Sequence, residues 1–187
     1  STSASDKAIS KGINILSKTL VDLDSKLIFD VVVSIDVIEH VLDVETFLVD
    51  ALAHVDKNGL LIISTGNPDS FFWRKMFKAK FWYCSYAEHL VFPSYKYFCE
   101  FSKRHNLSLP EQIRFKYIDF NFRALLFGIF HQLIFAISPS KYRAWIKLVQ
   151  SLRGTAIPMA VDIPLGAAGV FTDHRLIIFR NGENNGA

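Results

Sequence analysis

Two β-branched apolar runs bracket a helical repeat, and that order leaves few folds open. The run "IFDVVVSI", Ile28 to Ile35, is too continuous for a strand with one wet face. It reads as a strand buried on both faces of a parallel sheet. Phe47, Leu48, Ala51, Leu52 and Val55 then recur at helical spacing. Asp43 is placed to cap that helix, Glu45 suits its positive first turn, and "KNG", Lys57 to Gly59, reads as its stop. "LLIIST", Leu60 to Thr65, is a second buried strand, closed by "GNPDS". Strand, helix, strand is a βαβ unit whose crossover should be right-handed. The class is therefore α/β with an open sheet. Ligands of such sheets bind beyond the carboxyl ends of the strands, which puts "DVIEH" (36–40) and "TGNPDS" (65–70) on one rim.

The chain of 187 residues is half hydrophobic and 21% charged, enough for one domain with a sizeable core. A net charge of +3 is too small to argue for nucleic acid by itself. Cys84 and Cys99 make neither a disulfide framework nor a CxxC pair, so they read as reduced, buried thiols of a cytoplasmic protein. "STSASDKAIS" has no basic segment followed by an apolar one, hence no secretory signal, and it lacks an initiating Met. A trimmed chain or a fragment is the expectation. The apolar stretch Phe122–Ile137 is shorter than the roughly 20 residues that span a bilayer. Arg123, His131 and Gln132 also interrupt it, so a buried helix is expected.

From Ser70 the texture changes. "FFWRKMFKAKFWYCSY" interleaves aromatics with Arg74, Lys75, Lys78 and Lys80. Such a segment can stack bases, or it can form a lid whose lysines reach water. Ser94 is placed to cap a helix within Pro93–Leu107, with Tyr97, Phe98 and Phe101 on its apolar side. Residues 121–150 look helical, Asp173–Arg180 reads as a closing strand, and a frayed Gly/Asn-rich tail follows.

Taken together, "FDVVVSIDVIEHVLDVETFLVDALAHVDKNGLLIISTGNPDS", "EHLVFPSYKYFCEFSKRHNL" and "DHRLIIFR" resemble the middle and end of class I S-adenosylmethionine-dependent methyltransferases. The shared pattern is a strand FDVV, an EHV turn, a helix, a Gly-led strand and a T-x-N loop, then an E-H pair before a helix. The family's glycine-rich loop is absent, since no GxGxG occurs. The resemblance thus implies a Rossmann-like methyltransferase sheet, N-terminally truncated, with an aromatic and helical cap inserted before the last strand. Residues 1–187 would form a single partial domain. Its sheet core would be 1–70, 88–120 and 171–181, and its cap 70–87 and 121–170. Without the glycines that allow close backbone approach, cofactor binding by this chain alone should be weak.

The same resemblance implies site residues. "TLVDLDSKL" matches the family's third strand and loop, which makes Asp22 the adenine acceptor, with Asp24 in reserve. Ile35, Asp36 and Val37 would flank the methionine part of S-adenosylmethionine. Some members carry an E-x-x-E-H metal motif, which implies a divalent metal on Asp36, Glu39, His40 and His89. On a helical turn Asp36, Glu39 and His40 share one face, yet Asp36 with Glu39 also resembles a capping box. His89 and His40 are the candidate general bases, because imidazole titrates near neutrality. Asn67, Trp82, Tyr83 and Tyr86 are the candidate acceptor-binding residues.

The expected reaction is methyl transfer from S-adenosylmethionine to a small-molecule, sugar or lipid-linked acceptor. Two alternatives are a metal-dependent RNA 2′-O-methyltransferase and a non-catalytic, partner-binding fragment without a complete cofactor site. Nucleic acid is not the expected partner. A cytoplasmic location with peripheral membrane contact is, from Phe122–Ile137 and the nearby Lys141, Arg143 and Lys147.

Overall fold

The computed structural model describes residues 2–85, 88–115, 122–138, 140–141, 144 and 173–182. Helix α1 (Thr2–Ile9) precedes strand β1 (Phe29–Ile35), a 3₁₀ turn (Ile38–His40), α2 (Val44–Ala53) and β2 (Val55–Gly66). A π-helical turn (Phe72–Phe77) and two short 3₁₀ turns (Lys78–Lys80 and Trp82–Ser85) follow. Then come α3 (Tyr95–Arg104), β3 (Glu111–Phe115), α4 (Phe122–Ile137) and β4 (His174–Arg180). The four strands form one sheet in the order β1-β2-β4-β3. β1 and β2 are parallel, and β4 runs antiparallel to both β2 and β3. This mixed α/β sheet, with its antiparallel last strand, is the Rossmann-like arrangement the sequence implies.

Local chemistry accounts for both well-formed helices beside the sheet. The Asp43 carboxylate accepts the Thr46 amide at 3.0 Å at the start of α2, and Ser94 Oγ accepts the Tyr97 amide at 3.2 Å at the start of α3. Leu48 and Ala51 of α2 and Phe98 and Phe101 of α3 close over Leu61, Ile63, Ile177 and Phe179 of the sheet. A second apolar cluster gathers Trp73, Phe77, Phe81 and Tyr83 with Phe135 of α4.

Four sequence expectations change. Among the described residues β1 is the outer strand and is not buried on both faces, since Val31, Val33 and Ile35 are exposed. "KNG" does not stop α2, which ends at Ala53. Residues 56–59 instead form an irregularity inside β2, between the pairs Phe29–Val55 and Val31–Leu60. Asn181, just past β4, holds that bulge by donating its side-chain amide to the Val55 carbonyl at 2.7 Å and its backbone N–H to Gly59 at 3.0 Å. Gly59 is required there, because a Cβ would lie 2.7 Å from the Asp30 carbonyl oxygen. Thr19–Leu27 makes turns and no strand, since Thr19 Oγ1 and Asp24 Oδ1 capture the amides of Asp22 and Lys26. Finally, α4 is only half buried. Gln132 and Phe135 pack inward, while Leu126, Phe130, Leu133 and Ile137 are exposed. Among the described residues no helix is long and apolar enough to cross a membrane. Arg143, Lys147 and most of 121–170 beyond α4 lie outside the described residues.

Glu45 ties α2 to α3. Its carboxylate accepts from His105 Nε2 at 2.8 Å, from Arg104 Nε at 3.2 Å and from the Tyr97 hydroxyl at 3.3 Å. Arg104 first, then His105, holds this carboxyl down at about 2, below the usual 4.5. A depressed pKa contributes stability above pH 4.5 that is lost as pH falls toward 2. Thermal midpoints should therefore fall more steeply with acid in the wild type than in Glu45→Gln across that window. The difference should shrink at about 1 M salt, as the groups are partly exposed. Parallel curves would show that the pair does not support the fold.

Candidate functional site

The carboxyl ends of β1 and β2 and the start of β4 converge on a small polar cluster. β1 ends at Ile35, and Asp36 turns the chain with φ 50° while donating its N–H to the Ser64 carbonyl at 3.0 Å. Asp36 therefore does not cap a helix. The 3₁₀ turn after it has Val37 at its N-cap and no side-chain cap bond. Nor do Asp36, Glu39 and His40 share one helical face, because Glu39 is fully buried while Asp36 and His40 are exposed. Ile35 and Val37 both present exposed side chains at this rim.

Glu39 is anchored at every polar atom of its side chain. Thr65 Oγ1 donates to Oε2 at 3.1 Å, and the Tyr83 hydroxyl donates to Oε1 through a short bond. Its backbone carbonyl accepts Leu90 N–H at 2.7 Å, which draws the chain after His89 onto the turn. His40 Nδ1 lies 2.9 Å from the Glu88 carbonyl, and His89 Nδ1 lies 2.8 Å from the Tyr83 carbonyl. A carbonyl only accepts, so each Nδ1 carries a proton, and in the neutral ring it is Nε2 that keeps the lone pair. The two rings stand edge to face, 4.8 Å apart. One ligand atom from each of Glu39, His40 and His89 fits within 4.8 Å of the others.

This donor set suits a divalent metal. Histidines that hold metals commonly give their second N–H to a carbonyl, and ligating carboxylates commonly accept hydrogen bonds. Asp36, the fourth residue expected in the set, is not part of that group. It still feels the cluster: crowding at the rim and then Glu39 raise its carboxyl above the usual range, against the opposing pull of His174, His89 and His40. Burial and the Glu39 carboxylate push the Tyr83 phenol well upward, so it stays a donor.

Of the remaining expected residues that the structure describes, Tyr83 joins the cluster and Asp22 does not. Asp22 is exposed and accepts from the Thr19 hydroxyl at 2.6 Å. Asn67 is nearly buried, with its N–H on the Asp173 carbonyl at 2.6 Å and its carbonyl on Ser70 N–H at 3.0 Å. Tyr83 is also buried, and its hydroxyl goes to Glu39. The Trp82 side chain and all of Tyr86 lie outside the described residues. In the aromatic-basic segment Trp73, Phe77 and Phe81 point inward and Arg74, Lys75, Lys78 and Lys80 outward. Those three rings offer no stacking face to solvent.

Sequence reasoning missed Thr65, Asp173 and His174. His174 is buried, donates Nδ1–H to Asp173 Oδ1 at 3.1 Å, and stands perpendicular to the Tyr83 ring at 5.3 Å. The signal was present: an antiparallel last strand starts at the rim where its neighbour β2 ends, and "DH" opens that strand.

A family model described as a methyltransferase domain matches residues 3–112, more than half of the chain. Similar curated proteins include the ubiquinone biosynthesis O-methyltransferases of Rickettsia conorii (strain ATCC VR-613 / Malish 7) and Rickettsia akari (strain Hartford). Both are 46% identical over 55 residues, which is 29% of this chain and 19% and 22% of those proteins. The enzyme of the same name from Rickettsia canadensis (strain McKiel) is 44% identical over 55 residues, 29% of this chain and 23% of its own length. The matched stretch thus spans about a fifth of the curated relatives.

Proposed function

The chain belongs to the methyltransferase-domain family, and on that premise we propose that it serves methyl transfer from S-adenosylmethionine to a hydroxyl oxygen of a small, lipid-linked acceptor. The observation that carries this reading is the cluster of Glu39, His40 and His89 on the ligand-binding rim, with both imidazoles locked as Nδ1–H. The oxygen acceptor is supported by the relatives' name, ubiquinone biosynthesis O-methyltransferase. The exposed stripe Leu126, Phe130, Leu133 and Ile137 supplies an apolar surface on which a lipid tail can lie.

In the proposed reaction the acceptor oxygen attacks the methyl carbon in line. The carbon–sulfur bond breaks, its electron pair stays on sulfur, and the hydroxyl proton passes to solvent water, or to His89 Nε2 where no metal is held. Ile35, Asp36 and Val37 would flank the donor at the end of β1. Glu39, His40 and His89 would hold a divalent metal, which supplies Lewis acidity that lowers the pKa of the acceptor hydroxyl. The chain's own part is to fix those donors. The carbonyls of Glu88 and Tyr83 set the imidazole tautomers, and Thr65 and Tyr83 set the carboxylate. Without a metal, the same His89 Nε2 suits a general base.

Single-turnover transfer to a catechol, with and without an appended isoprenoid tail, tests the reading in an assembly that includes a complete donor site. Chelation should abolish transfer, divalent cations should restore it, and His89→Ala should slow it about 100-fold or more. The tailed acceptor should show the lower KM. Chelator-resistant transfer that still needs His89 assigns the general-base role and removes the metal. Transfer indifferent to both chelation and His89→Ala refutes the site.

A further inference from the structure

We propose that Tyr83 is the positioning residue of this rim, its hydroxyl setting the Glu39 carboxylate and its backbone carbonyl and ring setting the His89 imidazole. The proposal deepens the reading above and rests on it for the role of the cluster. Three independent contacts meet at Tyr83. Its hydroxyl donates to Glu39 Oε1, its backbone carbonyl accepts His89 Nδ1–H at 2.8 Å, and its ring lies 4.3 Å from the His89 ring. Trp73 at 5.5 Å, His174 at 5.3 Å and Phe92 at 6.1 Å surround the same ring, so it has no other place to go.

The strand end is shaped for that ring. Gly66, last in β2, would carry a Cβ 2.6 Å from Tyr83 Cε1 and 2.9 Å from Cδ1. A buried ring bonded through its hydroxyl cannot retreat as a surface side chain can, so any larger residue at 66 displaces it. Tyr83 belongs to the aromatic segment that packs with Phe135 of α4, whereas Glu39 belongs to the turn after β1. Through Tyr83 the seating of the aromatic segment is therefore felt at the polar cluster. A purely structural tyrosine would need neither the carboxylate nor the imidazole.

Cobalt titration of the 187-residue chain, followed by its visible absorption, reads the cluster directly. The wild type should bind Co²⁺, and Tyr83→Phe, which removes only the hydroxyl, should bind about 10- to 100-fold more weakly. Phe101→Leu, in the separate core over the sheet, should lower the melting midpoint yet leave cobalt affinity unchanged. Equal affinity in wild type and Tyr83→Phe, or an equal loss in Phe101→Leu, overturns the proposal. If the wild type takes no cobalt, the metal reading falls and the imidazole nitrogen spectrum decides for Tyr83. His89 should then be an Nδ1–H tautomer in the wild type and shift toward Nε2–H in Gly66→Ala, where the ring is displaced. An identical His89 spectrum in both overturns the proposal.

Discussion

Asp69→Ala is expected to lower the melting midpoint by roughly 10 °C, and Arg175→Met by much less. Arg175 is completely buried at the start of β4. Its guanidinium donates to Asp69 Oδ2 at 2.9 Å and to the Pro93 carbonyl, and it lies 5.4 Å from the centre of the Phe98 ring. Among the described residues its Nε has no hydrogen-bond partner, and burial lowers its pKa against the opposing pull of Asp69. Removing Asp69 leaves a positive charge in the core with one carbonyl to face, a change that costs about 3–5 kcal/mol in comparable pairs. Asp69 is 28% exposed, so the lower end of that range applies. About 3 kcal/mol corresponds to roughly 6–12 °C for a chain of this size.

Arg175→Met keeps most of the buried volume and removes the charge. Asp69 then falls back on the Tyr95 amide, which it already accepts at 2.8 Å, and on water. Removing the buried cation should thus hurt less than removing its counter-ion. Melting curves of the two variants at neutral pH decide it, and an Arg175→Met protein as unstable as Asp69→Ala would refute this view. The clamp also bears on the site, because it ties the loop after β2, the start of α3 and the start of β4 into one rim.

Glu39→Gln is expected to remain folded yet lose cobalt binding and, in a complete enzyme, methyl transfer by about 100-fold or more. Glu39→Ala should lose stability as well, by about 1–3 kcal/mol, since it removes the carboxylate that accepts from the buried Thr65 and Tyr83 hydroxyls and leaves them to turn to each other. Glutamine keeps the volume and one acceptor oxygen, so about 1 kcal/mol is expected from it. Unfolding curves beside a cobalt titration separate the two effects. If Glu39→Ala matched the wild type in stability, the carboxylate would not be what holds the two hydroxyls. If Glu39→Gln bound cobalt as well as the wild type, the carboxylate would be no part of the seat.

Local chemistry was legible to the residue in several places. Asp43 and Ser94 cap their helices because a short polar side chain ahead of an apolar repeat has a nearby amide to accept from. β4 was read one residue early, at Asp173, and otherwise as observed. "KNG" misled because a helix stop and a strand bulge need the same residues. What distinguished them was Asn181, more than 120 residues later. Tyr83 looked like a pocket residue because a tyrosine beside an E-H pair is polar at one end. Only the packing showed that this end is occupied.

By itself the sequence determined the α/β class, the order of the main elements, the caps, and a rim bearing Glu39 and His40. Those features follow from hydrogen bonds and apolar spacing within a few residues, which neighbours along the chain satisfy on their own. The family resemblance had already put His89 with Glu39 and His40; the tertiary structure alone decided that Tyr83 meets Glu39 while Asp36 stays outside the group, and that one face of β1 remains open among the described residues. Each of these depends on which distant segment fills a given space. Tyr83 reaches Glu39 across 44 residues because Gly66 leaves room for its ring, and no local rule carries that information.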